Sequence, residues 1–133
     1  MPATPSRSPA GKFAQKISIP VKASPADLLA SLPLPASPRW PDGVPFAEAF
    51  RHGSMVVELY APRGRDRQTP HTRDELYFIV SGRGEFVHRE ARRSFGPGDA
   101  FFVPAGDEHR FENFGDDFAT WVVFYGPEGG EKP

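Results

Sequence analysis

The sequence predicts an all-β sandwich or barrel. From Val44 onward it breaks into about eight short strand-like runs, each closed by Gly, Pro, Asp or Asn, with almost no helical periodicity between them. No self-similarity at a period of roughly 20–50 residues points to a repeat architecture instead. With 133 residues and 38 % hydrophobic content, the chain can bury one core and not two. One domain over residues 44–126 is therefore expected, with an extension before it.

That extension is built differently. Ten of the sixteen prolines and five Lys or Arg against two Asp fall in residues 1–45, which leaves the remainder with a formal charge of −4. Residues 1–15 carry too little apolar content to offset the entropy of ordering and read as a disordered tail. In residues 16–43, Ile17, Ile19 and Val21 alternate with polar or small residues, an edge-strand pattern given Pro20, and such a strand can pair with a sister subunit. Ser24-Pro25-Ala26-Asp27 reads as an N-cap, a first-turn proline and an early acid, and Leu28, Leu29 and Leu32 continue it for about two helical turns. Pro33, Pro35 and Pro38 stop the helix.

The strands follow in order. Phe46 to Arg51 and Ser54 to Tyr60 flank His52-Gly53 as a hairpin, and Pro62 to Asp66 is a charged turn. Glu75 to Val80 is aromatic and β-branched; Gly82 turns the chain back into Glu85 to Arg89. Arg92 to Phe95, Ala100 to Val103 and His109 to Asn113 are shorter runs, separated by Gly96-Pro97-Gly98-Asp99 and Pro104-Ala105-Gly106. Phe118 to Tyr125 is the longest apolar run, and residues 127–133 form a tail expected to fray.

Composition excludes several functions. A formal charge of −1 offers no basic patch for nucleic acid or an anionic membrane. No cysteine is present, so any metal must be held by nitrogen and oxygen. The N-terminus lacks an unbroken apolar stretch of signal-peptide type, and a soluble cytoplasmic protein is the expectation. No serine sits in a nucleophile-elbow context.

Gly98, Pro104, Gly106, His109 and Asn113 stand at the spacing of the second cupin motif at every fixed position. His71, Glu75 and Gly82 keep the spacing of the second histidine, glutamate and closing glycine of the first motif. Over residues 44–126 the chain thus resembles the cupin superfamily, and the stretch from Gln68 to Glu75 looks like one group of small single-domain members without a settled activity. It departs from the family in having Thr69 where the first histidine usually stands, and in a Gly64 one residue closer than the pattern expects. The resemblance implies a jelly-roll barrel with metal ligands projecting into its mouth; it names no reaction.

Read from residue chemistry, His71, Glu75 and His109 have the composition of a two-His-one-carboxylate triad suited to Fe, Mn, Ni, Cu or Zn. Strand alternation would turn Thr69 inward with His71, and Gln68 becomes a candidate fourth oxygen ligand if a bulge resets the register. The same alternation puts Tyr77 on the face of Glu75 and Phe111 on that of His109, while Trp121, Val123 and Tyr125 share a face of the last strand. Thr69, Tyr77, Phe111 and Trp121 are accordingly the expected pocket residues, with the Tyr77 hydroxyl as a candidate proton donor. Asp74 should point away into solvent. The expected function is a metal-dependent enzyme acting on a small molecule, an oxygenase, isomerase, lyase or decarboxylase, assembled as a homodimer. The alternative is a non-catalytic small-molecule binder, with Thr69 marking a degenerate metal site.

Overall fold

The computed structural model describes residues 20–133. The tail predicted over residues 1–15 and most of the strand predicted over Lys16 to Val21 lie outside them, and the described end of that strand, Pro20 and Val21, is exposed and in no strand. Eight strands follow one short helix: α1 (Pro25–Leu29), β1 (Phe46–His52), β2 (Met55–Tyr60), β3 (Asp74–Ser81), β4 (Gly84–His88), β5 (Ala91–Phe95), β6 (Ala100–Val103), β7 (His109–Glu112) and β8 (Ala119–Tyr125). They form a five-stranded sheet in the order β1-β2-β8-β3-β6 and a three-stranded sheet in the order β5-β4-β7, with every pair antiparallel. This is the all-β, jelly-roll type of architecture that the strand spacing and the motifs imply.

The core between the sheets is aromatic. Tyr60, Tyr77, Phe86, Phe95, Phe111 and Phe118 are buried together with Ile79, Val103 and Val122. Tyr77 and Phe95 each meet Phe111 edge-on, at centroid distances of 5.0 and 5.5 Å, an arrangement the ring quadrupoles favour. Gly82 turns β3 into β4 with φ +87°, and a Cβ there would lie 2.7 Å from the Phe118 Cα, so only glycine allows that approach.

The helix is shorter than the leucine spacing suggests, a little over one turn, because Pro33 and the chain reversal beyond it leave no room for a second. Ser24 caps it, its hydroxyl accepting from the Asp27 N–H at 3.3 Å. Leu28, Leu29 and Leu32 pack onto Leu59 and Ala119, with Val80 and Trp121 alongside, so the outer face of the five-stranded sheet is apolar there as well.

Two polar expectations are overturned. Asp74 is buried, accepting from the Ala105 N–H at 2.9 Å and the Glu131 N–H at 2.8 Å. The C-terminal residues do not fray but fold over Asp74, and Gly129 N–H donates to the Thr72 carbonyl at 2.6 Å. A residue turned away from the barrel interior need not be solvated when a later segment covers it.

Candidate metal centre and its cavity

The two motifs meet across the two sheets. Glu75, near the start of β3, projects from the five-stranded sheet; His109, the first residue of β7, projects from the three-stranded one. His71 lies in the irregular segment before β3, where its carbonyl accepts from the Gly106 N–H at 2.7 Å and so ties the first motif to the loop that presents His109. Gly106 makes that turn with φ +84°. One ligand atom from each of His71, Glu75 and His109 lies within 4.8 Å of the other two.

Glu75 Oε2 takes both imidazoles, His71 Nδ1 at 2.9 Å and His109 Nε2 at 3.3 Å. Its other oxygen, Oε1, is buried and has no hydrogen-bond partner among the described residues. Such an orphaned carboxylate oxygen costs free energy, and a cation ligated by Glu75 and the two imidazoles is the group this donor set fits. Burial opposes ionisation of Glu75, yet the hydrogen bonds from His109 and His71 outweigh it and hold the carboxyl down at about 2. Burial also opposes the charge on His109, and the Glu75 carboxylate overcomes it and raises the imidazole above its ordinary value.

A second network orients His109 and Tyr77. His109 Nδ1–H donates to the Asp107 carbonyl at 2.9 Å, which leaves Nε2 facing the triad. Asp66, from the charged turn, accepts from the Tyr60 hydroxyl, from Gln68 N–H at 3.1 Å, from Gln68 Nε2 at 2.6 Å and from Phe111 N–H at 2.8 Å. With its amide nitrogen on Asp66, Gln68 presents Oε1 to the Tyr77 hydroxyl at 2.9 Å. Tyr77 has one proton and gives it to Gln68, so its oxygen accepts from His109 Nε2 at 2.9 Å. Burial, with the nearby Glu75 charge, keeps the Tyr77 phenol well above its usual value.

The site opens into a cavity of about 450 Å³. Gln68, Thr69, His71 and Tyr77 line it, as do Val56, Glu58 and Tyr60 of β2 and Val122 and Phe124 of β8, with Arg39, Arg51 and Arg73 at its rim. Gln68 and Thr69 both face the cavity because residues 61–73 form no strand, so alternation does not govern them. The Gln68 side chain is engaged with Tyr77 through Oε1 and with Asp66 through Nε2. Two expected pocket residues do not line the cavity. Phe111 shares the face of His109 but sits deeper, packed among Tyr77, Phe95 and Phe118. Trp121 points the other way, toward α1, since Thr120, Val122 and Phe124 are the inward residues of β8. Sequence reasoning missed Asp66 and Glu58; a carboxylate between Val56 and Tyr60 on one strand face was the available signal for the latter.

A family model described as a cupin domain matches residues 56–125. An uncharacterised protein of Streptomyces coelicolor is 36% identical over 85 residues, covering 62% of this chain and 81% of that one. Among solved structures, a cupin 2 conserved barrel domain protein from Salinispora arenicola aligns with a TM-score of 0.53 and 23% identity, over 61% of this chain and 74% of that one. KdgF from a Halomonas species aligns with a TM-score of 0.55 and 19% identity, over 62% of this chain and 78% of that one. The DMSP lyase DddQ from Ruegeria pomeroyi aligns with a TM-score of 0.52 and 27% identity, over 62% of this chain but 48% of the lyase. The barrel is what these structures share with this chain.

Proposed function

Because the chain belongs to the cupin family and its barrel holds a His-Glu-His group that could bind a metal, we propose that it is a metal-dependent enzyme acting on a small organic molecule. The observation that carries this reading is Glu75: fully buried, held ionised by two imidazoles, and left with one oxygen that has no partner among the described residues. His71, Glu75 and His109 would hold one divalent ion, Fe, Mn, Ni, Cu or Zn, and such an ion supplies polarisation of a substrate oxygen or activation of water or O₂.

The chain's own residues do the remaining work. Asp107 fixes the His109 tautomer so that Nε2 is the coordinating atom. Asp66 and Gln68 place the Tyr77 hydroxyl 2.9 Å from that same Nε2, beside the position a metal would take. The half-exposed His71 forms the open edge of the group, where a substrate in the cavity would meet it, and Val122 and Phe124 give the cavity an apolar lining. A lyase among the structures it resembles supports small-molecule chemistry in such a barrel, though this chain spans less than half of that enzyme.

Elemental analysis of untagged protein purified without chelator, beside the double variant His71→Ala, His109→Ala, tests the reading. Near-stoichiometric metal in the parent and none in the variant is expected. Absence from both, even after incubation with each ion, would favour the non-catalytic binder that Thr69 in place of the first family histidine suggests.

A further inference from the structure

Among the described residues Glu58 is the one carboxyl group in the cavity lining, and it lies outside the His-Glu-His group. Its position follows from register. In the five-stranded sheet Glu58 of β2 pairs with Val122 of β8, and Val122 pairs in turn with Tyr77 of β3. Glu58 and Tyr77 thus occupy one inward row with a valine between them, about 10 Å apart at two strand spacings. The neighbouring row is Val56, Phe124 and Glu75. A glutamate side chain on β2 therefore lines the same cavity as His71 and Tyr77, two strands away from Glu75 on one sheet face.

Every other acid nearby is held in place. Glu75 has two imidazoles, Asp66 has its hydrogen-bond donors, and Glu48 pairs with Arg51 at 2.7 Å. Among the described residues no hydrogen bond holds the half-buried Glu58 carboxyl, and burial raises it above the ordinary carboxylate value. Tyr77, the residue whose chemistry first suggested a proton donor, gives its proton to Gln68 Oε1 and is itself buried. Proton traffic in the cavity falls to Glu58.

The rim indicates what is bound. Among the described residues, neither Arg39 nor Arg73 has a carboxylate within ion-pair distance; Arg39 stacks 4.3 Å from the Trp40 ring centroid and donates to the Arg67 carbonyl at 2.9 Å, and Arg73 donates to the Ser54 carbonyl. Both retain donors for an anion at the mouth. A small molecule bearing a carboxylate suits this mouth, and one with a carbonyl beside that carboxylate also offers a C–H acidic enough for a carboxylate base to take.

We propose that Glu58 is the acid–base residue of the cavity, moving a proton from and to C3 of a small 2-oxo acid. The inference rests on the metal-dependent reading given above. In the step, the C3–H bond breaks and its proton passes to the Glu58 carboxylate. The electron pair left behind forms the C2–C3 double bond while the carbonyl π pair moves onto the substrate's own oxygen. Return of a proton from Glu58 to C3 reverses this, and no oxidant or co-reactant is consumed.

The experiment is proton–deuterium exchange at C3 of 2-oxobutyrate in D₂O, followed by NMR, with metal content measured on the same sample. The metal-loaded parent should exchange these protons well above the protein-free rate. Glu58→Gln, at unchanged metal content, should lose about 100-fold or more of that rate, the usual scale of acid–base assistance. Glu58→Asp, which keeps the carboxyl but draws it back, should fall between them. In protein labelled with ¹³C at glutamate carboxyls, the resonance missing from Glu58→Gln should move when 2-oxobutyrate is added. Exchange that persists in Glu58→Gln, or no exchange and an unmoved resonance in a metal-loaded parent, overturns the proposal alone. A parent that takes up no metal overturns it together with the reading beneath it.

Discussion

His109 Nδ1–H is committed to the Asp107 carbonyl, and Tyr77 spends its only proton on Gln68, so Nε2 reaches Glu75 and Tyr77 by carrying a proton of its own. A metal held at that nitrogen would have to displace this proton, so both stability and metal uptake should depend on pH. The raised His109 stabilises the metal-free fold fully below its ordinary value of 6.5, and that contribution is lost as pH rises through the raised value. The depressed Glu75 contributes above its ordinary 4.5 and loses that contribution as pH falls toward about 2, a contribution on the order of 3 kcal/mol. Chelator-stripped protein should therefore melt highest between these ordinary values, and the gain in melting temperature on adding metal should widen with pH above 6.5. Thermal melts across pH, with and without metal, check this; a stripped profile flat above neutrality would mean that His109 carries no second proton. The group of His71, Glu75 and His109 was legible in the sequence because the spacing around glycine and proline dictates where the chain must turn. Glu58 was not singled out, since a carboxylate in an apolar strand shows its meaning only when register sets it opposite Tyr77.

Between elements, Asp66 joins the turn before β3 to both sheets: Tyr60 comes from β2 and Phe111 from β7. Asp66→Ala would strand those donors with the two from Gln68, some of them buried, at a cost of about 3 kcal/mol. It would also release Gln68, and with it the hold on Tyr77. A lowered urea midpoint with an unchanged denaturant slope is expected, and a variant as stable as the parent would show that water replaces the carboxylate without loss. The turn itself was visible as Pro62 to Asp66, but its role depends on contacts far apart in the chain. Trp121 shows a different limit. Alternation correctly groups it with Val123 and Tyr125, yet it cannot say which face of β8 looks inward when α1 makes the outer face apolar too. Asp74 failed for a related reason, since the outer face of β3 is covered at that residue by the C-terminal turn.

At the scale of the molecule, the described part of the extension belongs to its own barrel. Leu28, Leu29 and Leu32 cover Leu59 and Ala119, Leu34 bridges to Val44, and Arg39 and Trp40 complete the cavity rim. At ~1 kcal/mol for each half-buried leucine, a chain beginning at Val44 should lose about 3 kcal/mol of stability and much of its rim, while keeping the triad. We propose in addition that the protein is a homodimer, supported by the edge-strand pattern of Ile17, Ile19 and Val21 ahead of that helix. Solution mass separates the two roles. If the parent runs at twice 14.7 kDa and the shortened chain at the mass of a single copy, pairing depends on residues 1–43. An unchanged dimer after shortening would remove the extension from the interface, and a shortened chain that melts with the parent would remove it from the fold. A parent that runs at 14.7 kDa ends the dimer proposal and leaves the leucine cover as the extension's role.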